Sequence, residues 1–171
     1  GTNHMLAKLE YYKLPEIVKE KSGVGIYIFF WDHLRRSIGS MKRYTDWLST
    51  APYYKFEDGQ LVRDRAFKDG RYVTSKIYEY IYHSSILNYY NVDFPMRLND
   101  SHYDLVSEMI LESQKNFKAQ TGSDRFYVLW FPSYIQYTPE EKSEFMAILD
   151  KKNIKVIDLS DFIKYGGEHT I

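Results

Sequence analysis

Apolar residues along this chain fall into continuous runs of strand length and stretches with helical spacing. Residues 23–31 form a continuous apolar run and residues 125–131 a second one after Arg125, and each predicts a buried strand. Residues 154–158 predict a third strand. Residues 138–153 lie between the last two and open on Thr-Pro-Glu-Glu, in which Thr138 is the expected N-cap. A strand, a helix and a strand at this spacing predict a βαβ unit with a parallel sheet.

Helical periodicity is clearest over residues 100–122, where Asp100 is the expected cap and Gly122 the expected stop. Residues 75–90 also carry apolar side chains on one helical face. At the start of the chain, a helix is expected with Asn3 as its N-cap. The helices at 75–90 and 100–122 lie between the first and second predicted strands, where a parallel sheet requires a crossover connection.

A hairpin interrupts this alternation. Asp58-Gly59 separates two short strand-like runs within residues 53–63, a strong signal for a tight β-turn. We therefore expect one α/β domain over residues 1–171 with a mostly parallel sheet. A hairpin-plus-helix insert, residues 50–97, follows the first strand.

Composition narrows the function classes. Lys and Arg total 23 and so do Asp and Glu, so the chain has no cationic surplus and we expect no nucleic-acid partner. The absence of cysteine excludes disulfides, a thiolate nucleophile and a Cys-ligated zinc site. No apolar run approaches the roughly 18 residues of a membrane span. The 17 tyrosines are suited to half-buried cleft walls and interfaces.

The end of the first strand carries the leading candidate residues. Working groups of open parallel sheets lie just past the carboxyl ends of the strands, and here that position is Asp32-His33. These two side chains could act as an acid/base pair or orient a substrate. Alternatively, Asp32 caps the following helix and His33 faces solvent, which is the more common role for an aspartate after a strand.

A basic cluster follows directly. It comprises four residues: Arg35, Arg36, Lys42 and Arg43. Such a cluster can bind a phosphate or a carboxylate, although a run of charges is more often a solvated face.

Three blocks of the chain resemble the SGNH (GDSL-like) hydrolase superfamily. GTNHMLAKLE is similar to the glycine-containing turn and helix after the family's second strand. GVGIYIFFWDHLRRSIGS, with the later PYYKFEDGQLVRD, resembles the third strand and its insert. SEMILESQKNF, RFYVLWFPS and NIKVIDLSDF follow the remaining helix-strand-helix-strand course. The resemblance implies a three-layer, flavodoxin-like α/β/α fold that hydrolyses esters without a metal or cofactor.

The family's catalytic parts map only partly onto this chain. Its Gly-Asp-Ser nucleophile block does not occur here and would be expected before Gly1. Gly1 and Asn3 correspond to the oxyanion side, Asp32 matches the block after the third strand, and Trp31 stands where the family has its Asn. His169 is a weak candidate for the base, because no Asp lies three residues before it; the Asp-x-x-His block is expected after Ile171.

The resulting hypothesis is the core portion of an ester hydrolase in which Asp32, His33 and Arg36 line the cleft, acting on a small-molecule or carbohydrate ester. The alternative is a non-catalytic carbohydrate- or protein-binding α/β domain that uses its Tyr-rich insert, residues 53–90, as the contact surface. The oligomeric state stays open, as does the compartment, although the sequence has no signal-peptide pattern.

Overall fold

The computed structural model describes residues 1–18, 23–132 and 137–160. The helices are α1 (Thr2–Tyr11), α2 (Leu14–Ile17), α3 (Asp32–Ile38), α4 (Met41–Arg43), α5 (Phe67–Gly70), α6 (Tyr72–Ile81), α7 (Ser85–Tyr89), α8 (Asp100–Thr121) and α9 (Pro139–Lys151), with a π-helical turn at Tyr44–Leu48. The strands are β1 (Gly25–Phe29), β2 (Pro52–Glu57), β3 (Gln60–Ala66), β4 (Phe126–Trp130) and β5 (Val156–Asp158).

The main sheet is parallel and has the order β1-β4-β5. Phe29 pairs with Trp130, and Trp130 pairs with Asp158, so the carboxyl ends of the three strands meet at one edge. The chain is therefore an α/β protein, as the alternation of strand and helix patterns predicted. In the described part of the chain, β1 pairs with β4 alone, which leaves its other edge open.

The two faces of this sheet differ in how they are covered. Side chains of β1 and β4 on one face, among them Phe29 and Trp130, pack under α1, α3, α8 and α9 in the main core. On the other face Ile26 is 63% exposed, Ile28 48% and Ile157 46%. Across the described ranges the helices thus form one layer on the sheet, where three layers in total were expected.

The predicted hairpin is present as β2 and β3, joined at Asp58-Gly59. Both turn residues have positive φ, 50° at Asp58 and 76° at Gly59. Asp and Gly tolerate this left-handed backbone better than branched residues do, and two such residues in succession match the right-handed twist of the strands. The hairpin prediction is confirmed.

Helix starts agree with the sequence in part. Thr138 caps α9 in a capping box with Glu141, as predicted. The cap of α8 is Asn99, which makes a capping box with His102, so the assignment to Asp100 is wrong by one residue. An uncharged amide can accept from the N3 backbone N–H as a carboxylate would, and sequence alone does not choose between such neighbours.

Two other helical predictions are also corrected. Asn3 lies within the first turn of α1, and the N-cap is Gly1. The side-chain amide of Asn3 donates to carbonyls of Ser37 and Pro52 and does not cap the helix. The stretch 75–90 forms two helices, since Ser84 adopts extended backbone and caps α7. A serine that caps a new helix interrupts a pattern that otherwise looks continuous.

A second, smaller core joins the insert to the segment before it. Tyr44 and Leu48 of the π-helical turn, which lie before position 50, are buried together with Ala51 and Phe67 of the insert. The hairpin also joins the main core through Tyr54, whose hydroxyl donates to Glu10 of α1 at 2.8 Å. The insert is therefore packed against the sheet domain.

Candidate functional site

The end of β1 leads into a buried charged group on α3. Asp32 is the first residue of α3, and its carboxylate is buried. Oδ2 accepts a hydrogen bond from Arg36 Nε one helical turn later. Oδ1 accepts a hydrogen bond from Arg43 Nε at 2.9 Å, and Nη2 of Arg43 forms an ion pair with the same oxygen at 2.9 Å. We call Asp32, Arg36 and Arg43 the Asp32 cluster.

The Asp32 cluster carries one negative and two positive charges, so it has a net charge of +1. The Arg side chains remain about a third exposed, at 35% and 32%, while the carboxylate is only 6% exposed. The guanidinium of Arg36 also lies over the ring of Trp47 at 5.3 Å from its centroid. The buried carboxylate thus holds two cationic side chains in fixed directions with part of each open to solvent.

The start of the chain packs against this group. A Cβ at Gly1 would lie 3.4 Å from Arg36 Cβ, so the turn before α1 sits directly on α3. Buried Asn3 donates from Nδ2 to the carbonyl of Ser37 at 2.9 Å and to that of Pro52 at 3.1 Å. Its Oδ1 atom has no hydrogen-bond partner among the described residues, and neither has the buried Ser37 hydroxyl.

His33 belongs to a buried hydrogen-bonded chain. Its Nδ1 lies 2.9 Å from the Tyr27 hydroxyl, which in turn lies 3.0 Å from Thr2 Oγ1. The backbone N–H of Phe30 also points at Nδ1, at 3.5 Å. Because a backbone N–H can only donate, Nδ1 is the acceptor and the Tyr27 hydroxyl donates to it. The imidazole is therefore neutral, with its proton on Nε2.

Burial acts on His33 in the same direction. Desolvation, helped by the nearby positive charges of the amino terminus and Arg36, lowers the pKa of His33 to about 3. Burial likewise raises the pKa of the Tyr27 hydroxyl well above its usual value. These two groups keep their protons fixed near neutral pH, so they support the geometry of the strand end and do not titrate there.

The contacts of Asp32 and His33 determine which groups of the site remain available to a ligand. Both oxygens of Asp32 bind arginines, and Nδ1 of His33 lies against the Tyr27 hydroxyl. The acid/base role of these two residues stays a prediction. What the site presents is partly exposed guanidinium N–H groups at the carboxyl end of β1, next to Gly1. Such donors can bind or stabilise a negatively charged oxygen.

The structure brings Gly1, Asn3, Asp32, His33 and Arg36 together at one place, although 28 residues separate the two sequence segments. Their assigned functional roles stay predictions. The other reading, in which Asp32 caps α3 and His33 faces solvent, does not describe the geometry, because His33 is buried and the N-cap is Trp31.

Sequence reasoning did not find the partnership of Arg43 with Asp32. The spacing of four residues from Asp32 to Arg36 was available as a signal. Arg43 comes back to Asp32 only because Gly39 ends α3 in the left-handed conformation, with φ of 59°, and turns the chain. A Cβ at Gly39 would also lie 2.6 Å from a ring carbon of Phe67, so the close turn requires glycine.

Some candidate features lie elsewhere. His169 is outside the described residues, so its weak catalytic assignment stays a prediction. Within the described ranges, no three His, Asp or Glu side chains gather as a metal site would require. In the same part of the chain, no helix has both the length and the apolar character needed to cross a membrane.

Comparisons with known proteins do not assign the chain to a family. The chain matches no protein-family model, no curated protein and no solved structure at a significant level. In the part of the chain that the structure describes, the fold and the site define an α/β protein with a cationic group at the carboxyl end of β1, an edge strand there.

Proposed function

We propose that this chain is the core portion of an SGNH-type ester hydrolase, whose nucleophile and base lie outside residues 1–171. The substrate would be a small-molecule or carbohydrate ester, attacked by a serine of the complete protein. The observation that supports this most is the open edge of parallel strand β1, which ends in the Asp32 cluster with Gly1 packed beside it.

The open edge supports the proposal on physical grounds. A parallel strand with both faces apolar is normally paired on both edges and covered on both sides. β1 has one free edge in the described part of the chain, and Ile26 and Ile28 on its second face are about half exposed or more. A further strand beside β1 would bring its carboxyl end next to Arg36, which is where a nucleophile would need to lie.

The roles within this chain follow from the contacts. Arg36 and Arg43 would supply positive charge near the developing oxyanion, and Asp32 would position them. Gly1 would lie on the oxyanion side, and Asn3 would tie its turn to α3 and to the hairpin. His33 would be a buried support that does not exchange protons during the reaction.

The test is hydrolysis of short p-nitrophenyl esters. The 171-residue chain should give no enzyme-dependent turnover, whereas the polypeptide with its flanking gene sequence should turn over and should react with a fluorophosphonate at a serine outside residues 1–171. In that longer protein Arg36→Gln should lower kcat by roughly 10- to 100-fold. Arg65→Gln, at an exposed position of the hairpin, is the matched control.

Two results would overturn the proposal. One is robust turnover by the 171-residue chain that is lost when an internal serine is replaced. The other is a longer polypeptide that folds but neither hydrolyses esters nor reacts with the fluorophosphonate.

A second candidate function is binding without catalysis through the Tyr-rich insert. α6 and α7 leave large side chains more than half exposed, including Tyr72, Tyr80 and Tyr89. Exposed aromatic groups in one region are typical of a contact surface. If the insert binds oligosaccharides, titration should shift NMR signals of α6 and α7, and Tyr80→Ser should weaken binding while Tyr12→Ser, on the exposed end of α1, should not. Unchanged spectra would count against it.

A further inference from the structure

A cavity of about 490 Å³ opens beside the Asp32 cluster, between α4 with its following π-helical turn and the loop around residues 91–96. Three of its lining side chains are cationic and two are anionic: Arg35, Lys42, Arg43, Asp46 and Asp93. The walls thus carry a net charge of +1. They come from segments 49 to 58 residues apart in the sequence, so the cavity is a product of the tertiary fold.

One pair in the wall is already neutralised. Arg35 Nη1 lies 3.4 Å from Asp93 Oδ2 and donates to the carbonyl of Pro95 at 2.9 Å, and Nη2 donates to that of Met96 at 3.2 Å. Asp93 Oδ1 also accepts the backbone N–H of Lys42 at 2.9 Å. Arg35 and Asp93 therefore fix the loop against α4, and they contribute no free charge to the cavity.

The remaining cations are not neutralised in the same way. Lys42 is half-buried, and its Nζ donates to the side-chain amide of Asn91; among the described residues no carboxylate lies within 4 Å of it. Arg43 shares the carboxylate of Asp32 with Arg36, so that cluster already holds more positive than negative charge. Asp46 is exposed, and its Oδ1 accepts from the Tyr82 hydroxyl at 2.7 Å.

An ammonium group in this position has hydrogen-bonding capacity left. Lys42 carries three N–H donors and uses one on a neutral amide, and Nε and Nη2 of Arg43 both face a single oxygen, Oδ1 of Asp32. A lysine and an arginine at a concave, partly desolvated surface attract oxyanions more strongly than the same charges on a convex, fully solvated face. This distinguishes the cavity from a merely solvated run of basic residues.

We propose that this cavity binds a small organic molecule through one anionic oxygen group, a carboxylate or a phosphate, held by Lys42 Nζ and the guanidinium of Arg43. This proposal concerns binding alone and does not depend on the ester-hydrolysing chemistry proposed above, with which the site shares Arg43. It holds whether or not the complete protein hydrolyses esters. If the protein does so, the cavity lies close enough to the Asp32 cluster to receive a charged part of the substrate, since Arg43 belongs to both.

The experiment titrates the 171-residue protein with sodium succinate and, separately, with sodium phosphate at constant ionic strength, followed by ¹H–¹⁵N NMR. We expect at least one anion to saturate below about 10 mM and to shift the amide signals of residues 42, 43 and 91–93. The anion that binds more tightly identifies the group as carboxylate or phosphate.

Variants locate the site. Lys42→Gln should weaken binding at least about tenfold with little change in stability, because its side chain is only half-buried. Lys68→Gln, at an exposed position of α5 outside the cavity walls, removes the same charge and should bind as the wild type does. Arg43→Gln should also weaken binding, and its circular dichroism spectrum shows whether it remains folded.

Three results would overturn the proposal: no saturable shift with either anion, shifts that do not involve the cavity residues, or equal affinity in Lys42→Gln and Lys68→Gln. Esterase activity enters none of these measurements. A failure of this proposal and a failure of the proposed hydrolase function can therefore be told apart.

Discussion

The two faces of the main sheet are built from the same strands, but helices bury one face and leave the other exposed to solvent. On β1, Phe29 is fully buried against α3, α8 and α9, whereas its neighbour Ile28 is about half exposed. Strand geometry sends successive side chains to opposite faces, so one step along the chain crosses from core to surface. Apolar character alone does not decide which face is covered.

This difference teaches how to interpret a continuous apolar strand. Such a run indicates that both faces suit burial. In the described part of the chain, helices cover one face, and the other presents Ile26, Ile28 and Ile157 to solvent. An uncovered apolar face of a parallel sheet is the place where a further part of a longer protein or a partner would fit, and the proposed hydrolase function makes use of it.

The largest expected effect tests the covered face. Phe29→Ala should lower the free energy of unfolding by about 3–5 kcal/mol, because it leaves a cavity between the sheet and three helices. Ile28→Ala, one residue away on the same strand, should cost about 1 kcal/mol or less. Urea unfolding of both variants measures the contrast. Equal losses would mean that the second face is covered in solution.

A pH series tests the packing on the covered face of the sheet, where His33 lies against Tyr27 and Phe29. The pKa of His33 is about 3 in the folded protein and near 6.5 when unfolded, so only the unfolded state binds this proton between those values. The stability that the neutral His33 contributes is therefore complete above about pH 6.5 and is lost as the pH falls towards 3. Between pH 6.5 and 5 this loss lowers the free energy of unfolding by about 2 kcal/mol.

The measured quantity is the difference between pH profiles of unfolding for the wild type and for His33→Gln, which removes the titrating group while carboxylates titrate equally in both. His83→Gln, at an exposed position, controls for the loss of a histidine as such. Parallel profiles of wild type and His33→Gln would show that His33 is accessible and protonates in the folded state.

A smaller effect is expected where the covered face ends in the Asp32 cluster. Asp32→Asn should lower the free energy of unfolding by about 1–3 kcal/mol, because two arginines lose their shared partner while each stays partly solvated. Glu112→Gln, which breaks an exposed pair with Lys115 on α8, should cost at most about 0.5 kcal/mol. Thermal and urea unfolding compare the two, and equal values would show that the cluster is solvated.

The smallest effect is expected on the uncovered face. Ile26→Ser should change the free energy of unfolding of the 171-residue chain by at most about 1 kcal/mol, because most of the side chain is already in solvent. In the longer polypeptide the same substitution should cost more if a further layer covers this face. If Ile26→Ser lowers the urea midpoint of unfolding by the same amount in the 171-residue chain and in the longer polypeptide, that result argues against such coverage.

Local patterns predicted much of the architecture. Residues 125–131 and 138–153 were interpretable because periodicity and the capping box at Thr138 are local signals. The cap at Asn99 and the break at Ser84 were missed, since neighbouring polar residues compete for the same role and packing selects one of them. In the candidate site, the spacing of Asp32 and Arg36 could be read from the sequence, but the convergence of Gly1, Asn3 and Arg43 on them could not.

By itself, the sequence determined the α/β class and the hairpin at Asp58-Gly59, because backbone sterics and apolar periodicity act over a few residues. It also placed charged residues directly after the apolar strand in FFWDHLRRSIG. Only the tertiary structure decided that Asp32 is buried between two arginines and that burial keeps His33 neutral beside Tyr27. Those outcomes depend on long-range packing that removes water from some polar groups and leaves others at the rim of a cavity.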